Sequence, residues 1–238
     1  MNCKKVAILS SIPAEIETFR KFIDKEKFLG KDIILAVCGV GKSAAAATTQ
    51  KLISEQKPDI MIYTGFAGAL QDDLELDDIM IISAAVDAEM DVRAFNPDLL
   101  LGQLPLTKER IFQTDQRLAK LAMSSPYPYD REIKKGYIAT TSVFMDKNRK
   151  EAFIKETMPL LEAEINGEKI VPNLIDMESV GFLTATSANN VPCLIIRVVS
   201  NTREGDTVDE YLDYTSKTVG MYLEFFSFFI NHIEDIKD

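Results

Sequence analysis

DIILAVCGVGKSAAAATTQKLISEQ, residues 32–56, holds a strand, a turn and a helix in one unbroken stretch, and its reading decides the fold. DIILAVC is a short apolar and β-branched run, GVGKS is a turn built on two glycines, and AAAATTQKLISEQ is a helix whose small side chains suit close packing on a sheet. The turn also ends like a phosphate-gripping P-loop, with Gly41, Lys42 and Ser43 in a row. That pattern needs a glycine five positions before the Gly-Lys pair, so that backbone N–H groups can wrap a β-phosphate. Ala36 stands there, inside the strand, so the P-loop reading fails at its first residue.

Working outward, the same alternation continues along the chain. VAILSS opens as a strand and PAEIETFRKFI as the helix after it, with Pro13 early in the helix, where its missing N–H costs little. DIMIYT, DIMIIS, YIATTS and CLIIRVV read as further strands, and KNRKEAFIKETM, MESVGFLTATSA and EYLDYTSKTVGMYLEFFSFFINHI as helices. Strands alternating with helices predict βα units and a mostly parallel sheet. No repeat, linker or change of composition divides the chain, so residues 1–238 are expected to form a single α/β domain.

Composition narrows the chemistry. A net charge of −10 argues against a nucleic-acid groove, which would need clustered Lys and Arg. No run approaches the ~18 apolar residues of a membrane span, and the first residues lack the pattern of a secretory signal. Cys3, Cys38 and Cys193 lie far apart without metal-ligand spacing, which fits core positions in a cytoplasmic protein. The only histidine, His232, falls in an expected terminal helix, a poor place for a Ser-His-Asp triad or a histidine metal site. Carboxylates, amides, hydroxyls and backbone groups are left to do the chemistry, with no metal and no cofactor expected.

In open α/β sheets the ligand sits beyond the C-terminal ends of the strands. The residues expected there are Ser10, Ser11 and Glu15; Thr64 to Gly68, including Gly65, Phe66 and Ala67; then Phe144, the Asp176-Met177-Glu178 cluster, and Ser200 with Asn201. Two distant carboxylates, Glu15 and Glu178, and the Asn201 amide would converge on one crevice. Each has a plainer alternative. Glu178 could serve a helix start, where a carboxylate suits the dipole; Asn201 could be a turn residue; Phe95 and Phe144 could be core aromatics.

Together, VAILSSIPAEI, CGVGKSAAAATTQKLI, YTGFAGAL, MDVRAF with GQLP, SVFMD, IDMES and NNVPCLIIRVVSN resemble the nucleoside phosphorylase/hydrolase superfamily, in its order and near its spacing. The resemblance is strongest to the methylthioadenosine/S-adenosylhomocysteine nucleosidases. It implies a mixed, mostly parallel central sheet flanked by helices, a homodimer, and cleavage of a ribosyl–purine bond. By the same resemblance, Gly39 and Gly41 turn the backbone, Val40 lines the ribose side, and Lys42 and Ser43 start the helix. Glu178, after Met177, would hold the ribose hydroxyls and Glu15 the attacking water. Phe144 would stack on the purine, with Met145, Ser200 and Asn201 at the base. Arg197 would orient the acid-bearing end of the pocket, with Gly68 and Phe66 supporting it. Ile12, Phe95 and Pro105 would close over the 5′ substituent, the latter two from a partner subunit.

Water rather than phosphate is the expected nucleophile. IYTGFAGAL carries no arginine and SSIPAEI offers a carboxylate where a phosphate would be repelled. Arg93 is the one nearby cation that could overturn this, against a surface role. Two residues depart from the nucleosidase pattern. Asn201 stands where those enzymes carry the aspartic acid that protonates the leaving adenine at N7, and an amide donates a hydrogen bond but no proton. Asparagine here also occurs in relatives acting on 6-oxopurines, in phosphorylases and in futalosine-type hydrolases. The same amide, flipped, could face adenine, and an Asp→Asn replacement or a non-catalytic nucleoside-binding protein would read identically. Phe66 is the second departure, standing where a small residue is more common.

Overall fold

Alternation within the first strand sets up a three-layer arrangement. In β1 (Lys5–Ser10), Val6 and Ile8 face one side of the sheet and Ala7 and Leu9 the other, all fully buried. The computed structural model describes residues 3–23, 30–125, 133–204 and 219–235. Beyond β1 come α1 (Pro13–Ile23), β2 (Asp32–Val37), α2 (Lys42–Gln56), β3 (Ile60–Ala69), β4 (Ile79–Asp87), β5 (Ile111–Gln113), α3 (Gln116–Met123) and β6 (Lys134–Thr140). They are followed by α4 (Lys147–Ala152), β7 (Ala163–Ile165), β8 (Glu168–Ile170), β9 (Leu174–Asp176), α5 (Ser179–Ala188), β10 (Cys193–Asn201) and α6 (Val219–Asn231).

The strands run β2-β1-β3-β9-β6-β4-β10, and β10 pairs back onto β3, so the sheet closes on itself. Pairs β1–β2, β1–β3, β3–β10, β4–β6 and β6–β9 are parallel; β4–β10, β3–β9 and β4–β5 are antiparallel. The sheet is mixed and mostly parallel, as expected. Helices cover both faces, which is why all nine residues of β10 are buried and its sequence, CLIIRVVSN, is mostly apolar and interrupted by Arg197 rather than alternating. One core joins Val6, Ile8, Ile62 and Ile196 to Ile16, Leu118 and Phe225 of the helices; the other joins Leu9, Met61 and Ile195 to Ala45, Phe182 and Leu183.

Several boundaries differ from the sequence reading. The glycine-rich segment after Tyr63 is strand, not loop: β3 runs to Ala69 because β10 pairs along it and β9 takes over at Gly68 and Ala69. Ser200 and Asn201 likewise end β10 rather than follow it. Glu178 precedes α5, which starts at Ser179. The helix expected over 147–158 is α4 continued by a π-turn (Phe153–Thr157) and a 3₁₀ turn (Met158–Leu161). Of the helix expected over 210–233, α6 covers 219–231, and residues 205–218 lie outside those described.

Candidate active site

The site is built from the loop after β1 outward. Glu15 lies in the first turn of α1, and its carboxylate folds back onto backbone N–H groups: Oε2 accepts from Ser11 (2.9 Å) and Ile12 (3.1 Å), Oε1 from Phe66 (3.1 Å). Burial pushes its carboxyl up, while Arg197 and these three N–H groups pull it back.

Glu178 arrives from the end of β9. It occupies the N-cap position of α5, yet its side chain makes no capping bond; Oε1 instead accepts from the Gly41 N–H at 3.0 Å. The plainer helix-start reading of Glu178 therefore accounts for its position and not for its carboxylate. The GVGKS question is answered by the same bond. Gly39 and Gly41 sit at φ 86° and 105°, where glycine is favoured, and the amide a phosphate would use is given to a carboxylate. Lys42 is committed elsewhere, with Nζ at 2.9 Å from Asp87 Oδ1 and 3.0 Å from Glu89 Oε2.

Between the two carboxylates lies Arg197, fully buried. Its NH2 pairs with Asp176 Oδ2 and stands 3.6 Å from Glu178 Oε2. Asp176 is further held by Thr140 Oγ1 at 2.8 Å and by the Ser179 N–H at 3.0 Å. Burial, and then the Asp176 charge, push the Glu178 carboxyl up to about 7 against the opposing pull of Arg197 and Gly41.

Glu15, Asp176 and Glu178 border a cavity of about 310 Å³ whose lining, among the described residues, contains no lysine, arginine or histidine. The sequence profile of the phosphorylase superfamily matches residues 5–223. The chain belongs to the phosphorylase superfamily. Among relatives in this superfamily, the chain is 28% identical over 229 residues to a 5′-methylthioadenosine/S-adenosylhomocysteine nucleosidase of Haemophilus influenzae (strain PittEE), covering 90% of this chain and 94% of that one. It is 30% identical over 191 residues to the enzyme of the same name from Actinobacillus succinogenes, covering 79% and 77%. The fold matches a crystal structure of the Helicobacter pylori nucleosidase with a TM-score of 0.81 at 21% identity, over 98% of this chain and 100% of that one.

In this member of the superfamily, the cavity brings together most of the residues singled out from the sequence. Glu15 and Glu178 both line it, as do Phe144, Met145, Ser200 and Asn201 of the expected base end. Ile12, Val40 and Met177 line it too, together with Phe66 and Gly68. Gly68 earns its place by size: a Cβ there would stand 3.0 Å from Asn201 Nδ2 and 3.2 Å from Ile175. Arg197 stands behind the cavity rather than in it. Phe144 is 45% exposed and Phe95 is 88% exposed, so neither is a core aromatic. Phe95 and Pro105 are not brought to this chain's cavity; both are exposed. Arg93 is also outside, held by Asp91 at 2.8 and 2.7 Å. His232 Nδ1 lies 2.8 Å from the Phe228 carbonyl, away from the site.

Sequence reasoning passed over Thr141, Val143 and Ile175, which also line the cavity. Thr141 follows β6 directly and Val143 precedes Phe144, positions that could have marked them. Asp176 was placed in the crevice, but nothing in the sequence marked it as the partner of Arg197. Among the described residues, no helix is long and apolar enough to cross a membrane.

Proposed function

We propose that this chain is a purine nucleosidase, hydrolysing the ribosyl–purine bond of a 5′-modified purine nucleoside, with methylthioadenosine the leading substrate. The named activity of its relatives supports this. The observation that carries the hydrolytic reading is the meeting of the Glu15 and Glu178 carboxylates in a cavity whose lining, among the described residues, holds no lysine, arginine or histidine, because a phosphate dianion would meet repulsion there and water would not.

Departure of the purine builds positive charge on the ribose and negative charge on the base. Glu15, fixed by its three N–H bonds, takes the proton of the attacking water. Glu178 as a carboxylate binds the ribose hydroxyls and favours the cationic sugar. Phe144 packs on the purine, and Asn201 offers N7 a hydrogen bond without a proton. The reaction needs no metal or cofactor. In the same reading the protein is a cytoplasmic homodimer. The exposure of Phe95, 88%, and Leu106, 94%, supports an interface there, in which the partner's Phe95 and Pro105 would close over the 5′ group.

A second reading, a 6-oxopurine substrate, is favoured by one contact. Ser200 Oγ lies 3.1 Å from Asn201 Oδ1, which leaves the amide N–H groups of Asn201 to face a ligand, and N7 and O6 of a 6-oxopurine are both acceptors. Chromatography of the base released from methylthioadenosine and from inosine, each with and without phosphate, separates these readings. Adenine without phosphate supports the first and hypoxanthine alone the second. A phosphate requirement would make the protein a phosphorylase, and no release from either substrate would overturn the nucleosidase reading in favour of a binding protein.

A further inference from the structure

Tyr63 is fully buried in the middle of β3 and outside the cavity, yet it touches the support of both carboxylates. Its OH lies 2.7 Å from Ser11 Oγ and 3.4 Å from Cys38 Sγ. Ser11 is the residue whose N–H holds Glu15. Cys38 leads into the Gly39–Gly41 turn whose last N–H holds Glu178. The Arg197 guanidinium sits 4.6 Å from the Tyr63 ring centroid, in cation–π range, and Phe182 packs against the ring at 5.2 Å.

We propose that Tyr63 is a positioning residue that ties the Glu15 loop, the Glu178 turn and Arg197 into one rigid unit, so that the two carboxylates meet the ribose and its water with fixed spacing. The inference rests on the nucleosidase reading of the cavity. Buried polar groups that share partners hold one geometry because each lost bond leaves another group unsatisfied. Burial also keeps the Tyr63 proton in place well above the ordinary phenol range, against the pull of Arg197, so its hydroxyl can donate or accept in its contacts with Ser11 and Cys38. Because Tyr63 acts on the sugar side, its loss should register with ligands that carry ribose and not with the free base.

The test is titration calorimetry on the full chain with formycin A or formycin B, C-nucleosides that cannot be hydrolysed, and with adenine or hypoxanthine as the matching free base. Tyr63→Phe keeps the ring under Arg197 and removes only the hydroxyl. It is expected to weaken the C-nucleoside about three- to tenfold and leave the free base unchanged. Ser11→Ala removes the other end of the 2.7 Å contact, and the double variant should bind no worse than Tyr63→Phe alone. Equal losses for nucleoside and base, wild-type affinity for both, or additive losses in the double variant would each overturn the proposal. A wild-type protein that binds neither class of ligand would overturn the nucleosidase reading, and this inference with it.

Discussion

The Glu15 carboxylate lies where a side chain on residue 65 would be: a Cβ on Gly65 would stand 2.5 Å from Glu15 Oε1 and 3.0 Å from Arg197 NH1. Gly65 also holds φ +147°, which side-chain-bearing residues rarely adopt. Gly65→Ala is therefore expected to push Glu15 out of its cradle and lower kcat/KM roughly 100-fold, with the far-UV circular dichroism spectrum kept. Steady-state kinetics on whichever nucleoside the wild type accepts decides it, and near-normal turnover would refute the positional argument.

Glu15→Gln keeps the shape of the side chain and removes its ability to take a proton. Turnover should fall by about 10²- to 10⁴-fold, while affinity for the free base stays near wild type. Base release and calorimetry check the two halves separately.

The Glu178 carboxyl, raised to about 7, gives two pH effects of opposite sense. Activity that requires its carboxylate should rise with pH through about 7. Stability should move the other way: the unfolded chain releases this proton near its ordinary value of 4.5 and the folded chain holds it to about 7, so stability falls as pH climbs through that window. Burial sets most of the value, followed by Asp176, Arg197, the Gly41 N–H and Glu15. Glu178→Gln should remove this acid limb from the pH profile of the residual activity and flatten melting temperature against pH.

Asn201→Asp restores a group able to pass a proton to N7. Release of adenine from methylthioadenosine should rise at least about tenfold, and release of hypoxanthine from inosine should not. An unchanged adenine rate would show that Asn201 does not meet N7.

Gly181 packs against the start of α2, where a Cβ would stand 2.7 Å from the Lys42 carbonyl carbon and 2.9 Å from its Cα. Backbone cannot rotate out of the way. Gly181→Ala should cost about 1–3 kcal/mol in urea unfolding, and because the displaced turn carries Gly41, activity should fall with stability.

The βα rhythm was legible because strands such as β1 and β10 are long, mostly apolar β-branched runs and α2 is a long alanine-rich stretch. Strands β5, β7, β8 and β9 have three residues each, too few for any pattern to emerge. The stretch from Gly65 to Ala69 misled because glycine usually marks turns, whereas here it makes room for Glu15 and Asn201 beside a strand. In the site, Glu15, Glu178, Phe144 and Asn201 were readable from their places beside strand ends. Tyr63 was not: a tyrosine inside an apolar strand looks like core, and only the fold shows that its hydroxyl meets Ser11 and Cys38.

The closure of β10 onto β3 also sets the order of events as the protein is made. Met61 pairs with Cys193, and Gly68 with Asn201, so all the chain between them must be synthesised before the ring can shut. Until then β3 offers an open edge of unpaired backbone to any neighbouring chain, and such long-range pairing is slow. A chain ending before Cys193 would lack Ser200 and Asn201 of the cavity lining and would leave that edge of β3 without β10. The strand that closes the sheet is thus the one that brings Ser200 and Asn201 to the cavity.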